Sequence, residues 1–261
     1  MHTNYNQGVR SVNAFVGFVS LAGGLVGSLW RVSRGNYQLP HRVLADSGAV
    51  VVGGEVSSVA RTGTGYTLTY SAGEREESEE FDAVVIATPL HHANITFPDD
   101  ITPKIAHNTK PFQRTVATFV NGILATLVPG VENPGNILTV TTKDRLAFSS
   151  IGFKGAGTPD KNYKIFSKIP LTDEEINKLF SKVNEIKVVD WLAYPQYHVP
   201  DTLPEFELSP GLYYINAIES AASAIEMSCI GSKNVALLLY QHLEQVEGGR
   251  EETVCQSKEE L

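Results

Sequence analysis

The sequence has 261 residues, 42% hydrophobic and 19% charged, which is the composition of folded domains with real cores and not of a disordered chain. Its 21 Lys and Arg stand against 29 Asp and Glu, a formal net charge of -8. No basic stripe interrupts that acidity, so nucleic-acid binding, which needs clustered Lys and Arg to neutralise phosphates, is not expected.

In chain order, the opening MHTNYNQGVR is too polar for a signal peptide. Ala14–Trp30 is apolar and glycine-rich; it is short for a membrane span and reads as buried, closely packed backbone. No segment reads as transmembrane. Val43–Val52 is apolar and β-prone, and Val50–Thr88 reads as consecutive strands at the edge of a larger sheet. There GGEVSSVAR and GYTLTYSAG flank the turn Thr62-Gly63-Thr64-Gly65, and Tyr66, Leu68 and Tyr70 alternate with Thr67 and Thr69. A charged turn, Glu74–Glu80, leads into Val84-Val85-Ile86, a buried strand stopped by Pro89.

Residues from about 100 to 208 form a second, mixed layer, in which QRTVATFVNGIL, NILTVTT, LAFSSIGF and YKIFSKI are strand-like. Thr172 followed by Glu175 is a capping-box pattern. Ile176, Leu179, Phe180 and Val183 follow at i, i+3, i+4 and i+7, the face of an amphipathic helix. GLYYINAIE is a short apolar strand, and a long helix is expected from about Ser220 to Leu243. Beyond Glu244 the Glu-rich tail reads as a solvated, frayed end.

The chemistry-bearing residues are sparse. Cys229 and Cys255 are the only cysteines, which leaves no disulfide scaffold and no zinc spacing. The seven histidines do not group; His91 and His92 are adjacent and would point apart, so no metal site is expected. No G-x-S-x-G or activated cysteine offers a hydrolytic nucleophile. Ala22-Gly23-Gly24-Leu25-Val26-Gly27, with Asp46 some 20 residues on, approximates a dinucleotide fingerprint. The following SLWRVSRGNYQLP is a poor helix, so close-packing glycines are the stronger reading. In YYINAIESAASAIEMS a strand ends near Asn216, and the next helix opens in small residues. Such an opening lets a ligand approach free N–H groups, with Glu219 placed to accept hydrogen bonds. A capped, alanine-rich core helix explains the same residues equally well.

FVGFVSLAGG followed by GSLW, DAVVIATPL, the sequon NITF, DWLAYPQYHVP and above all LYYINAIESAASAIEMS together resemble prenylcysteine oxidases, from about Tyr5 to Leu243. The resemblance implies an α/β fold of the amine-oxidase type, with an incomplete FAD-binding, Rossmann-like domain interleaved with a mixed-sheet substrate domain. Residues 1–42 would be a glycine-rich helical segment on the substrate side, and 43–90 FAD-domain strands. Residues 91–208 would be the prenylcysteine-binding domain, 209–243 the closing strand and helix of the FAD domain, and 244–261 an acidic tail. By that analogy Val56 meets the adenine, and Thr88-Pro89 closes the strand leaving the FAD domain. Asn216, Ala217 and Glu219 lie along the ribityl-pyrophosphate, and Ala224-Ile225 faces the flavin. No catalytic residue is assigned.

The implied reaction is oxidative cleavage of farnesyl- or geranylgeranyl-cysteine by FAD and oxygen, giving cysteine, an isoprenoid aldehyde and hydrogen peroxide, in a lysosomal or secretory setting. Asn94-Ile95-Thr96 would then carry a glycan. An apolar channel is expected in the substrate domain, with Phe119, Trp191 and Tyr194 as wall candidates. The family's chain also begins with a secretory signal and a G-x-G-x-x-G strand–turn–helix that this sequence does not show. It therefore reads as the C-terminal part of such a protein, expected not to hold FAD stoichiometrically when expressed alone. Arg34, in Val32-Ser33-Arg34-Gly35-Asn36, replaces a glycine near the flavin cleft. A non-catalytic isoprenoid binder and a related amine oxidase are the alternatives, the second lacking its usual aromatic pair at Ala224-Ile225.

Overall fold

The computed structural model describes residues 2–25, 30–125, 137–139, 146–154 and 161–259. In chain order they form α1 (His2–Tyr5), α2 (Ala14–Leu25), α3 (Gln38–Asp46), β1 (Val56–Arg61), β2 (Tyr66–Ala72), β3 (Arg75–Phe81) and β4 (Val84–Ile86). There follow α4 (Thr102–Asn108), β5 (Phe112–Leu124), β6 (Ile137–Thr139), β7 (Ser150–Lys154), β8 (Lys161–Ser167), α5 (Asp173–Leu179) and β9 (Phe180–Pro195). The last three are β10 (Glu207–Ser209), β11 (Leu212–Tyr214) and α6 (Ile225–Glu259). Two compact units share the chain, Met1–Ser20 with Pro111–Asp201 and Leu21–Lys110 with Thr202–Leu261. These divisions fall at other places than the sequence boundaries at 42, 90 and 208.

The first unit is built on a five-stranded sheet in the order β6-β7-β8-β5-β9. Alternation along β5 and β8 sends Val120, Tyr163 and Ile165 to one face, where α5 covers them with Ile176 and Leu179. Helix α5 has the capping box read from the sequence: the Thr172 hydroxyl accepts from the Glu175 amide, and the Glu175 carboxylate accepts from the Thr172 amide at 2.8 Å. It is shorter than the spacing suggested. Phe180 and Val183 lie on β9, where pairing with β5 from Leu124 onward replaces another helical turn. At the N-terminus Gln7 clasps β9's exit, its amide donating to the Tyr197 carbonyl and its oxygen accepting from the Tyr197 amide, both at 3.0 Å.

The second unit carries the antiparallel meander β1-β2-β3 and a smaller sheet in the order β10-β11-β4. Its core joins Val59, Tyr66, Val84, Ile86, Leu90, Ile101, Leu208, Leu212, Tyr214 and Ala217. The turn at Thr62–Gly65 is present, closed by the Thr62 amide on the Gly65 carbonyl. Glu74–Glu80 is not a turn: Arg75–Phe81 pairs with β2 over its full length. Both of its faces meet solvent, so it lacks the apolar alternation that marks a half-buried strand.

Other expectations are corrected as well. Ala14–Leu25 is a helix, started by the Asn13 side chain accepting from the Val16 amide at 2.9 Å, and Phe15, Phe18 and Leu21 are exposed instead of closely packed. Gly23 and Gly24 fall inside this helix with no strand before them, and Gly27 lies outside the described residues, so the fingerprint geometry is not formed. Part of the β-prone Val43–Val52 is helical, in α3; Pro40 is tolerated there because it occupies the first turn, where no intrahelical donor is lost.

Candidate functional site

Strands β4 and β11 run parallel, with Val84 beside Leu212, Val85 beside Tyr213 and Ile86 beside Tyr214. Both therefore end at the same level. The chain leaves one through Ala87-Thr88-Pro89 and the other through Ile215-Asn216, and the carboxyl ends of neighbouring parallel strands are where open α/β sheets take ligands. Tyr214 ties the two exits together: its buried hydroxyl is hydrogen-bonded to the Leu90 backbone, and burial pushes its pKa up to about 12.

After β11 the chain does not enter its long helix at Ser220 as expected. Ile215–Ser220 winds as a 3-10 turn, and α6 begins at Ile225. Local side-chain hydrogen bonds compete with helix here. Asn216 Nδ2 donates to Glu219 Oε2 at 3.1 Å, and Ser223 Oγ donates to Glu219 Oε1 at 3.4 Å. Burial pushes the Glu219 carboxyl above its ordinary range, and those two hydrogen bonds only partly oppose the shift. Ala217 and Ala222 are buried, so small surfaces floor the turn. The Ser228 amide bonds the Ala224 carbonyl at 3.0 Å, which opens the helical ladder. The amides just ahead of it are those a helix leaves to an outside acceptor.

Of the sequence-selected residues, Thr88, Pro89, Asn216, Ala217, Glu219, Ala224 and Ile225 all lie on segments that leave this strand end. Val56 is not joined to it by sheet pairing. It begins β1 and lines a groove of about 390 Å³ with Glu55, Ser57, Arg75 and Asn94. Thr96 runs beside that strand, its amide donating to the Ser57 carbonyl at 2.9 Å. The hydroxyl of Ser223, which completes the clasp on Glu219, was missed by sequence reasoning; its i+4 spacing from Glu219 was the available signal.

The first unit presents a second feature, on the sheet face opposite α5. The ladder fixes three rows across β8, β5 and β9, Asn162-Asn121-Glu185, Lys164-Phe119-Lys187 and Phe166-Ala117-Val189, and then Thr115-Trp191 on β5 and β9 alone. A groove of about 430 Å³ lies at its polar end, touched by Phe119, Asn121, Asn162, Glu185, Lys187 and Val189. Phe119 and Trp191 are only partly covered, at 39% and 38% exposure, in keeping with a wall and not a packed core. Tyr194 differs: its ring stands edge-on to Tyr5 at 5.3 Å, and its hydroxyl accepts a hydrogen bond from Thr115 at 3.4 Å. The charged rows escaped sequence reasoning because Glu185 and Lys187 share a face only once β9 is known to be extended.

The model of the prenylcysteine lyase family matches residues 1–250. The chain belongs to that family. Prenylcysteine oxidase 1 of Bos taurus is 37% identical over 92% of this chain, and farnesylcysteine lyase of Arabidopsis thaliana 34% identical over 90%. The matched regions make up 52% and 47% of those two proteins, so the chain spans about half the length of these curated relatives. Among solved structures, cyclohexylamine oxidase from Brevibacterium oxydans is similar with a TM-score of 0.55 at 17% identity, covering 79% of this chain and 53% of that one. A putrescine oxidase variant gives 0.51 at 10% over the same shares. At such low identities these likenesses establish a mixed α/β fold of the amine-oxidase kind.

Proposed function

We propose that this prenylcysteine lyase family chain contributes the closing end of an FAD site and the substrate-facing sheet of a thioether oxidase. The single observation that carries the reading is the meeting of the β4 and β11 exits, with Glu219 clasped beside the first turn of α6. That donor set suits a flavin nucleotide: Asn216, Glu219 and Ser223 match a polyol, and the buried Ala217 and Ala222 leave room for it. Asn216, Ala217 and Glu219 would hold the ribityl-pyrophosphate, and Ala224-Ile225 the ring edge. Thr88-Pro89 would border the site, while Val56 would supply a backbone contact to adenine from its own groove.

FAD, when bound, supplies the two-electron acceptor. In the overall balance, prenylcysteine, oxygen and water yield cysteine, an isoprenoid aldehyde and hydrogen peroxide. The carbon that loses hydride is allylic and next to sulfur, so the developing cation is stabilised without a strong protein base. What these residues contribute is orientation and exclusion of water. The sheet face bearing Phe119, Val189 and Trp191 suits desolvation of an isoprenoid chain.

Incubation of the chain, fused to a relative's N-terminal FAD-binding segment and loaded with FAD, with S-farnesylcysteine in air tests the proposal. Equimolar farnesal, cysteine and peroxide are expected; a flavin-loaded protein that binds S-farnesylcysteine and releases none of them would instead be an isoprenoid binder.

A further inference from the structure

Resting on that reading, we propose that Glu185, Lys187 and Lys164 form a head-group subsite that takes the ionised amino and carboxyl groups of a prenylated cysteine. The isoprenoid tail then runs over Phe166, Val189 and Trp191. The sheet register carries the argument. On the face away from α5 two polar rows, Asn162-Asn121-Glu185 and Lys164-Phe119-Lys187, give way along the strands to the apolar Phe166-Ala117-Val189 and then Thr115-Trp191. Successive rows lie about 7 Å apart, two residues along a strand. Such a lane is an amphiphile in relief, with charge at one end and apolar surface at the other.

The charged end is also sorted by sign. Glu185 and Lys187 are neighbours on one face of β9, and both line the groove. An amino-acid head offers one cation and one anion on adjacent carbons, which is the complementary pattern. Lys164 marks the border between the two halves: its ammonium lies 4.3 Å from the Phe166 ring centroid and 5.6 Å from that of Phe119. The polar end is held in register by a ladder of amides, Asn184 donating to Asn121 at 2.7 Å and Asn121 to Asn162 at 2.9 Å. The lane therefore presents a fixed orientation, head toward Asn121 and tail toward Trp191.

The test is a binding titration on the full chain with Trp30 replaced by Phe, so that Trp191 reports from the lane. S-Farnesylcysteine, its methyl ester, its N-acetyl derivative and farnesol are compared. The zwitterion should bind more tightly than either blocked form by about five-fold, the upper range for a solvent-exposed ion pair. Lys187→Gln should weaken the zwitterion by a similar factor without changing the methyl ester or farnesol. Glu185→Gln should do the same without changing the N-acetyl form. Equal affinity of all the prenylated cysteines for the parent chain overturns the head-group subsite and leaves the oxidase reading standing; that comparison needs no variant to fold. Absence of binding by any farnesyl compound overturns both.

Discussion

Arg34 shows how one position can hold backbone strain. It occupies the third place of a turn closed by the Gly35 amide on the Val32 carbonyl at 3.0 Å, and its φ is 66°. An L side chain there sits too close to the following carbonyl, which costs roughly 1–2 kcal/mol and is relieved by glycine. Arg34→Gly should therefore be neutral to stabilising by about 1 kcal/mol, read as a higher urea midpoint at unchanged slope; a clear loss would show that the guanidinium makes a compensating contact. The sequence marked Arg34 as unusual but could not reveal the sign of φ. Glu219 makes the complementary case. Its folded pKa is raised above the ordinary value of 4.5, chiefly by burial. The stability it contributes is fully present below about pH 4.5 and is lost as pH rises through the elevated folded value. Glu219→Gln should flatten that decline and leave the variant more stable than the parent near pH 7, in urea titrations from about pH 4 to about pH 7. An unchanged pH profile would mean the carboxyl is solvated. The residue type and its place before the helix were legible; its burial and its clasp were not.

The elements divide according to how local their determinants are. The capping box of α5 was fully readable because both partners lie within three residues. Thr172→Ala should cost about 1 kcal/mol, measured by thermal or urea unfolding, and a neutral result would mean the helix is held by Ile176 and Leu179 alone. The helix length was misread because Phe180 and Val183 satisfy both a helical and a strand period, and only the long partner β5 decides between them. Strand β3 was missed for the opposite reason, since exposure on both faces leaves no apolar signal. The Phe119 face of the sheet offers a functional check at the same scale. In the complete protein, Phe119→Asp should raise KM for S-farnesylcysteine by about ten-fold, because a carboxylate between Lys164 and Lys187 would engage those cations and remove apolar surface from the channel. Unchanged kinetics in a folded variant would remove Phe119 from the channel.

At the scale of the whole molecule, the mixed α/β architecture was legible from strand runs separated by turns. Contacts between distant segments, such as Gln7 with Tyr197, have no local signature. Family membership also carries an expectation about setting. Asn94 is exposed beside the meander strand β1, with its sequon backbone held extended by Ser57 and Val59. We propose a secretory or lysosomal setting in which Asn94 bears a glycan. Peptide mass mapping of the native protein should show the modified residue, and an unmodified Asn94 would count against that setting.

The alternation of the units along the chain has a consequence for biosynthesis. Met1–Ser20 belongs with Pro111–Asp201, and Leu21–Lys110 with Thr202–Leu261. As the chain emerges from the ribosome, Met1–Ser20 must wait for some ninety foreign residues before their partners appear, and the clasp of Gln7 on Tyr197 spans 190 positions. At roughly 5–20 residues per second that wait lasts on the order of ten seconds. Throughout it, Tyr5 and Val16 have none of their native cover from Pro111–Asp201, which makes the nascent chain, more than the finished one, the form most in need of a chaperone.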